Sequence, residues 1–156
     1  MRRKGNSIRH SGEHQSTILA VSAVILSGAD QILLLQRSVD DDFLPEEWEV
    51  PGGEVKFGES PVGALLREVY EECGLRVDVG FPLFVATYFT DSSNKEQCFE
   101  VFYFCRMKEP DQEISLSPEH SSYMWMSLTR PPDVELTQST RDLIESLANH
   151  PLINAT

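Results

Sequence analysis

Residues 53–75 constrain this chain most, because they gather five carboxylates (Glu54, Glu59, Glu68, Glu71, Glu72) and one arginine, Arg67, in and around a single predicted helix. Ser60 suits an N-cap, and Pro61 suits the first helical position, where its missing N–H costs nothing. Val62, Leu65, Leu66, Val69 and Cys73 recur as one apolar stripe. Gly74 and Leu75 read as a left-handed C-terminal cap with a hydrophobic contact behind it. The spacing therefore predicts a helix over 61–73. At about 100° per residue, Glu71 and Glu72 fall within about 60° of Glu68, so the three acids share a face opposite the stripe. Like charges so placed repel one another, and they stand at the negative end of the helix dipole. A hard divalent cation, Mg2+ or Mn2+, offsets that crowding through carboxylate and carbonyl oxygens, whereas no His and Cys cluster suggests zinc. Taken alone, though, an acidic pair on a helix is more often a solvated face, here neutralised by Arg67.

The residues around the helix decide between these readings. Gly53 is followed after five residues by Glu59, after seven more by Arg67-Glu68-Val69, and then by Glu71-Glu72 and Gly74-Leu75. This pattern resembles the Nudix box of the Nudix hydrolase family at all nine specified positions. Upstream, Trp48-Glu49-Val50-Pro51-Gly52-Gly53 is similar to the strand and turn that precede the box in relatives of MutT. The resemblance implies an α/β fold of the Nudix type, an α/β/α sandwich with a mixed sheet, a catalytic helix in the box and a C-terminal helix. It also implies a magnesium-dependent pyrophosphohydrolase acting on a nucleoside diphosphate linked to another group.

Residue roles follow from the same resemblance. Glu68 and Glu72 are expected as metal ligands, with Glu71 a third and the backbone carbonyl of Gly52 completing the set; a residue without Cβ lets an ion approach closely. Arg67 is expected to orient the carboxylates by charge-assisted hydrogen bonds. Glu59 stands at the positive end of the helix, where a carboxylate is favoured for structural reasons alone. Hydrolysis also needs a base for the attacking water. Glu68 is one candidate and Glu119, in the loop before a strand at 123–126, is the other. Arg37 resembles an arginine that helps hold the nucleotide in relatives of MutT, and is equally read as a strand-end surface charge. Lys56, Lys95 and Arg106 read as solvated surface, Asp40-Asp41-Asp42 as a solvated loop, and the four histidines receive no role.

Composition narrows the partners. The chain of 156 residues is sized for one domain, here 17–156, and no apolar run approaches a membrane span. Residues 1–16 carry four basic side chains against one acid and no amphipathic face, so they read as a disordered basic tail rather than a targeting segment. Thirteen basic residues less those four, against 25 acids less that one, leave the body at −15. Such a body does not bind nucleic acid by bulk electrostatics, and a small anionic nucleotide must be admitted by metals and a few placed cations. The three cysteines, Cys73, Cys98 and Cys105, lie in no metal spacing and read as reduced core residues of a cytoplasmic protein. A homodimer is left open.

Strand signals at 18–26, 31–36, 77–90, 98–107 and 123–126, with turns at 27–30 and 91–95, surround the acidic helix, and a second helix is predicted over 138–149. The class of nucleotide is not specified: neither Pro82 nor Tyr88 stands at the distance behind the box that marks the ADP-ribose or dinucleoside polyphosphate members. A nucleoside triphosphate or oxidised nucleotide is the first expectation. An ADP-ribose or nucleotide-sugar hydrolase, or a Nudix-fold module that binds without turnover, is the alternative. A complete acidic set favours the enzyme, since a pure binder has no need of it.

Overall fold

A computed structural model describes residues 15–28 and 30–148. Seven strands and two helices run in the order β1 (Ser16–Ser27), β2 (Gln31–Arg37), β3 (Trp48–Glu49), β4 (Gly52–Glu54), α1 (Pro61–Cys73), β5 (Val77–Phe89), β6 (Glu96–Met107), β7 (His120–Ser127) and α2 (Gln138–Ala148). Most of the predicted tail lies outside the described residues. Its last position does not behave as tail, because the Ser16 N–H donates to the Lys95 carbonyl at 2.9 Å and opens β1. Asn149, the predicted end of the second helix, also lies outside the described residues.

The sheet is mixed. β1 runs parallel to β6 from Ser16↔Glu96 to Ile25↔Cys105, while β5 and β6 form the predicted antiparallel hairpin. The far end of β1 turns into β2, which pairs antiparallel with both β3 and β7. The short β4 lies antiparallel on β1 through Ala20↔Glu54, Val21↔Gly53 and Ser22↔Gly52. That pairing seats the Gly52-Gly53 turn on the middle of the sheet.

Period-2 alternation sends the apolar residues of the central strands to both faces. Val21, Ala23 and Ile25 of β1 join Leu33 and Leu35 of β2 beneath α1, where Leu65, Val69 and Cys73 meet them. Val24, Ile32 and Leu34 face the other way and pack with Phe102 and with Leu143 and Leu147 of α2. Each Val or Leu fully buried this way contributes roughly 1.5–3 kcal/mol. The result is the expected α/β/α sandwich. Pro82, which lacks an N–H, falls between two register shifts on β5, an edge strand that tolerates it.

Helix α1 has the predicted ends. Ser60 Oγ accepts the Gly63 N–H at 3.0 Å, and Gly74 closes the helix at φ 71°. The buried stripe differs from the expected one. Val62 and Leu66 are exposed, at 42% and 41%, while Ala64 and Glu72 are buried beside Leu65, Val69 and Cys73. Glu72 is 5% exposed, so it does not share the open face of Glu71. Its angular position lies as close to the Leu65, Val69 edge as to Glu68, and the neighbouring Gly52 turn covers it.

All three cysteines are buried and free. Cys105 lies under α1 and Cys98 falls on the opposite face, as their spacing requires. Burial pushes the Cys73 and Cys105 thiols up to about 12. No helix of the described residues is long and apolar enough to cross a membrane.

Candidate active site

The box divides around Arg67 and the two glycines. The Arg67 guanidinium donates to both Glu59 oxygens at 2.7 and 2.9 Å, to Glu68 at 2.5 Å, to Glu71 at 3.1 Å and to the Glu54 carbonyl at 3.2 Å. Glu59 also accepts the Lys56 N–H at 3.0 Å, which ties the loop before α1 to the helix. These bonds, Arg67 first and Lys56 second, pull the Glu59 carboxyl down to about 2. Arg67 thus holds three acids at once, the geometry of an orienting residue.

Two carboxylates lie against the turn between β4 and its neighbours. A Cβ on Gly53 would fall 2.6 Å from the Glu68 carboxyl carbon, and one on Gly52 would fall 2.3 Å from both the Val21 carbonyl and Ser22 Oγ. Close approach of backbone requires glycine at 52, whereas at 53 the neighbour is the end of a side chain. The Gly52 N–H donates to Glu72 at 2.9 Å. Burial raises the Glu72 carboxyl well above its ordinary range, the Gly52 N–H counters, and the charges of Glu49, Glu68 and Glu119 raise it further.

Beside these residues a cavity of about 420 Å³ opens on the α2 face of the sheet. It contains Gly52, Gly53, Glu72, Glu119 and Arg37 in its walls, with Glu68 behind Gly53 and Glu71, 54% exposed, outside. Its ionisable lining is acidic: Asp41, Glu49, Glu54, Glu72, Glu100 and Glu119 face one arginine and one histidine. The Glu119 carboxylate accepts no hydrogen bond among the described residues, and only its backbone carbonyl is used, by Ser38.

Arg37 is a wall residue with a bond from each guanidinium nitrogen, three of its five N–H donors. It donates to Glu49 at 2.7 Å, to Asp41 at 2.7 Å and to the Phe43 carbonyl at 2.8 Å, and it lies over the Phe43 ring. Asp41 is therefore no simple solvated loop acid: it also accepts the Phe43 N–H at 2.9 Å and shapes the cavity rim.

Three cavity residues carried no role in the sequence reading. His120 is 6% exposed, with Nε2 3.3 Å from Glu49 and Nδ1 unpartnered, and nothing in a lone histidine of a loop signals that. Glu49 bridges His120 and Arg37. Glu100 is 7% exposed and accepts Ser22 Oγ at 2.5 Å. Its signal was available, since an acid alternating with Cys98 and Phe102 must point into the same face.

Among the described residues no three His, Cys, Asp or Glu side chains are already gathered in a metal-binding geometry. The donor chemistry nonetheless fits a hard divalent ion: carboxylates that repel one another, set on a glycine turn whose space a Cβ would fill.

The NUDIX domain model matches residues 16–147. The chain belongs to the Nudix domain family, and the fold expected from the box is the fold observed. It is similar to the asymmetrical bis(5'-nucleosyl)-tetraphosphatase of Sus scrofa, 33% identical over 104 residues, and spans 66% of that relative's length and 64% of its own. It is also similar to an RNA pyrophosphohydrolase of Francisella philomiragia, 31% identical over 126 residues, covering 71% of this chain and 78% of the relative. Among solved structures, a MutT Nudix hydrolase from Burkholderia pseudomallei superposes with a TM-score of 0.72 at 26% identity, covering 84% of this chain and 98% of that one.

Proposed function

We propose that the chain is a divalent-metal-dependent pyrophosphohydrolase that cleaves a phosphoric anhydride in a nucleoside di- or triphosphate derivative. The observation that carries this reading is the acid excess of the cavity, six carboxyls against Arg37 and His120. A polyphosphate entering that field unaided is repelled; with cations between, the same field binds it. Glu68, Glu71, Glu72 and the Gly52 carbonyl are the groups that would hold Mg2+ or Mn2+, which supplies charge neutralisation at the phosphates and a more acidic bound water.

The chain's own residues do the rest. Arg67 keeps Glu68 and Glu71 oriented through its bonds to both. Glu119, lining the cavity with a carboxylate that no other side chain among the described residues holds, takes the proton as a water oxygen bonds to phosphorus and the bridging P–O bond breaks. Glu68 is the competing base, and its bond to Arg67 argues for holding rather than proton transfer. The similar proteins are named as a bis(5'-nucleosyl)-tetraphosphatase and an RNA pyrophosphohydrolase, which supports a phosphoric anhydride as the bond broken and favours no one nucleotide.

The test is incubation of the purified protein and magnesium with nucleoside triphosphates, oxidised triphosphates, nucleotide sugars and dinucleoside polyphosphates, with identification of products. Release of a nucleoside monophosphate and pyrophosphate or a phosphorylated fragment is expected. Tight binding without turnover of any of them overturns the hydrolase in favour of a binding module.

A further inference from the structure

A second cavity, of about 380 Å³, adjoins the first and shares four wall residues with it: Phe43, Glu49, Tyr88 and Glu100. The Gly52 turn and Glu72 belong only to the first; Phe89 and the start of α2, with Gln138 and Ser139, belong only to the second. The second chamber therefore adds aromatic and neutral polar walls beyond the acidic ones. With phosphates held near Glu72, a flat ring at the other end of the substrate has Phe43, Tyr88 and Phe89 for its faces.

Glu100 sits where the two chambers join. Its Oε1 accepts the Ser22 hydroxyl, and its Oε2 is buried with no hydrogen bond among the described residues. The hydroxyls of Tyr88 and Ser139 stand near enough to temper its electrostatics, yet neither closes a bond to Oε2. A buried carboxyl oxygen without a partner is costly in a folded protein and marks a place where something else bonds. A carboxylate has about four lone-pair sites, so with Ser22 on one it still presents an acceptor edge. The complementary ligand edge is a pair of adjacent N–H donors. Adenine, cytosine and uracil each interrupt theirs with an acceptor.

We propose that Glu100 is a specificity-determining residue: from the junction of the two cavities it reads a 2-amino-4-oxopyrimidine edge, the adjacent ring N–H and exocyclic amine carried by guanine and by pterins. This rests on the reading that the phosphates lie at the Glu72 end. Burial pushes the Glu100 carboxyl up, with the Ser22 hydroxyl countering, and two N–H donors would restore its charged form.

Calorimetric titration of the full chain in magnesium with α,β-methylene analogues of GTP, ATP, CTP and ITP, together with a pterin triphosphate, tests it by binding alone. The guanine analogue, the pterin or both are expected to bind at least tenfold more tightly than the adenine and cytosine analogues, which also identifies the source of the ring. Inosine, which lacks the exocyclic amine, should bind at least fivefold more weakly than guanine, an arm that needs no variant. Glu100→Gln, which keeps the shape and turns one acceptor into a donor, should erase the ring preference, the guanine and pterin analogues losing at least fivefold more affinity than the adenine and cytosine ones. An unselective wild type, an unchanged ranking in Glu100→Gln, or an equal loss for every ring overturns the proposal. Ring-selective binding with no hydrolysis of any triphosphate would sink the hydrolase reading and leave this one standing; hydrolysis without ring selectivity does the reverse.

Discussion

The acids on the Arg67 side of the box and those in the cavity obey opposite rules, although Glu68 and Glu72 are one helical turn apart. Glu59, Glu68 and Glu71 share a cation supplied by the chain, and Glu59 is held down to about 2. Glu72 and Glu100 are buried beside other acids and both are raised. Arg67 offsets the first set only in part, one guanidinium against three carboxylates, so Glu68 and Glu71 keep charge for a metal, while Glu72 and Glu100 are left to be neutralised by what enters the cavity. Acid serves as a fastener on one side and as a receptor on the other.

The largest effect expected from breaking this contrast is on turnover. Glu72→Gln should lower hydrolysis by on the order of 10²–10³-fold, the scale of removing a group that organises charge in a reacting site. Its melting temperature should hold or rise, because a buried charge with no cation is gone while the amide oxygen can still accept the Gly52 N–H. Unchanged turnover would remove Glu72 from the metal set. A clear drop in melting temperature would move it among the fasteners.

The two glycines sharpen the same division through stability. Gly52→Ala drives a Cβ into the Val21 carbonyl, fixed backbone of β1, and should cost about 1–3 kcal/mol in thermal or denaturant unfolding. Gly53→Ala meets only the carboxyl end of Glu68, which can swing aside. It should lose activity with a smaller loss of stability, since what moves is a site residue rather than the sheet. Equal destabilisation by both would mean that Glu68 is as fixed as the backbone.

Legibility in the sequence followed how local the cause was. Helix α1 was readable to its ends because Ser60, Pro61 and Gly74 act within one turn of themselves. Five of the seven strands and the β5–β6 hairpin were readable from alternation and turn residues, while β3 and β4, two and three residues long, are too short to show a period. The parallel pairing of β1 with β6 was not, since it joins residues about 80 apart. For the same reason Glu72 was placed on the wrong side of its helix: what buries it is the Gly52 turn, twenty residues upstream. His120 and Asp41 were passed over because their roles exist only through Glu49 and Arg37. Glu100 could have been found, as an acid at an inward strand position.

A smaller effect is expected at the fastener itself. Arg67→Gln should reduce stability by no more than about 1 kcal/mol, because solvent screens ion pairs this shallow. Its sharper readout is the Glu59 carboxyl, which NMR titration should find returning from about 2 toward its ordinary 4.5. Because the folded value is depressed, the Glu59 contribution is complete above pH 4.5 and fades as pH falls toward 2. A Glu59 titration unmoved by the substitution would show that the Lys56 N–H, not Arg67, holds it.

The smallest effect lies at Glu100 and has the opposite sign in pH. Its folded value is raised by burial, so the native state holds a proton that the unfolded chain has released. Its contribution is therefore complete below the ordinary 4.5 and is lost as pH rises through the raised value. Glu100→Gln cannot ionise, and should gain on the wild type in melting temperature as pH rises from 4 to 8. Any difference at pH 4 reports only the change of shape and hydrogen bonding. A ligand that donates to Glu100 should shrink the gap at high pH, because it favours the charged form in the native state and in nothing else. A gap that stays flat across that range would place Glu100 with Glu59, among acids the chain has already satisfied, and the contrast between fastener and receptor would then rest on Glu72 alone.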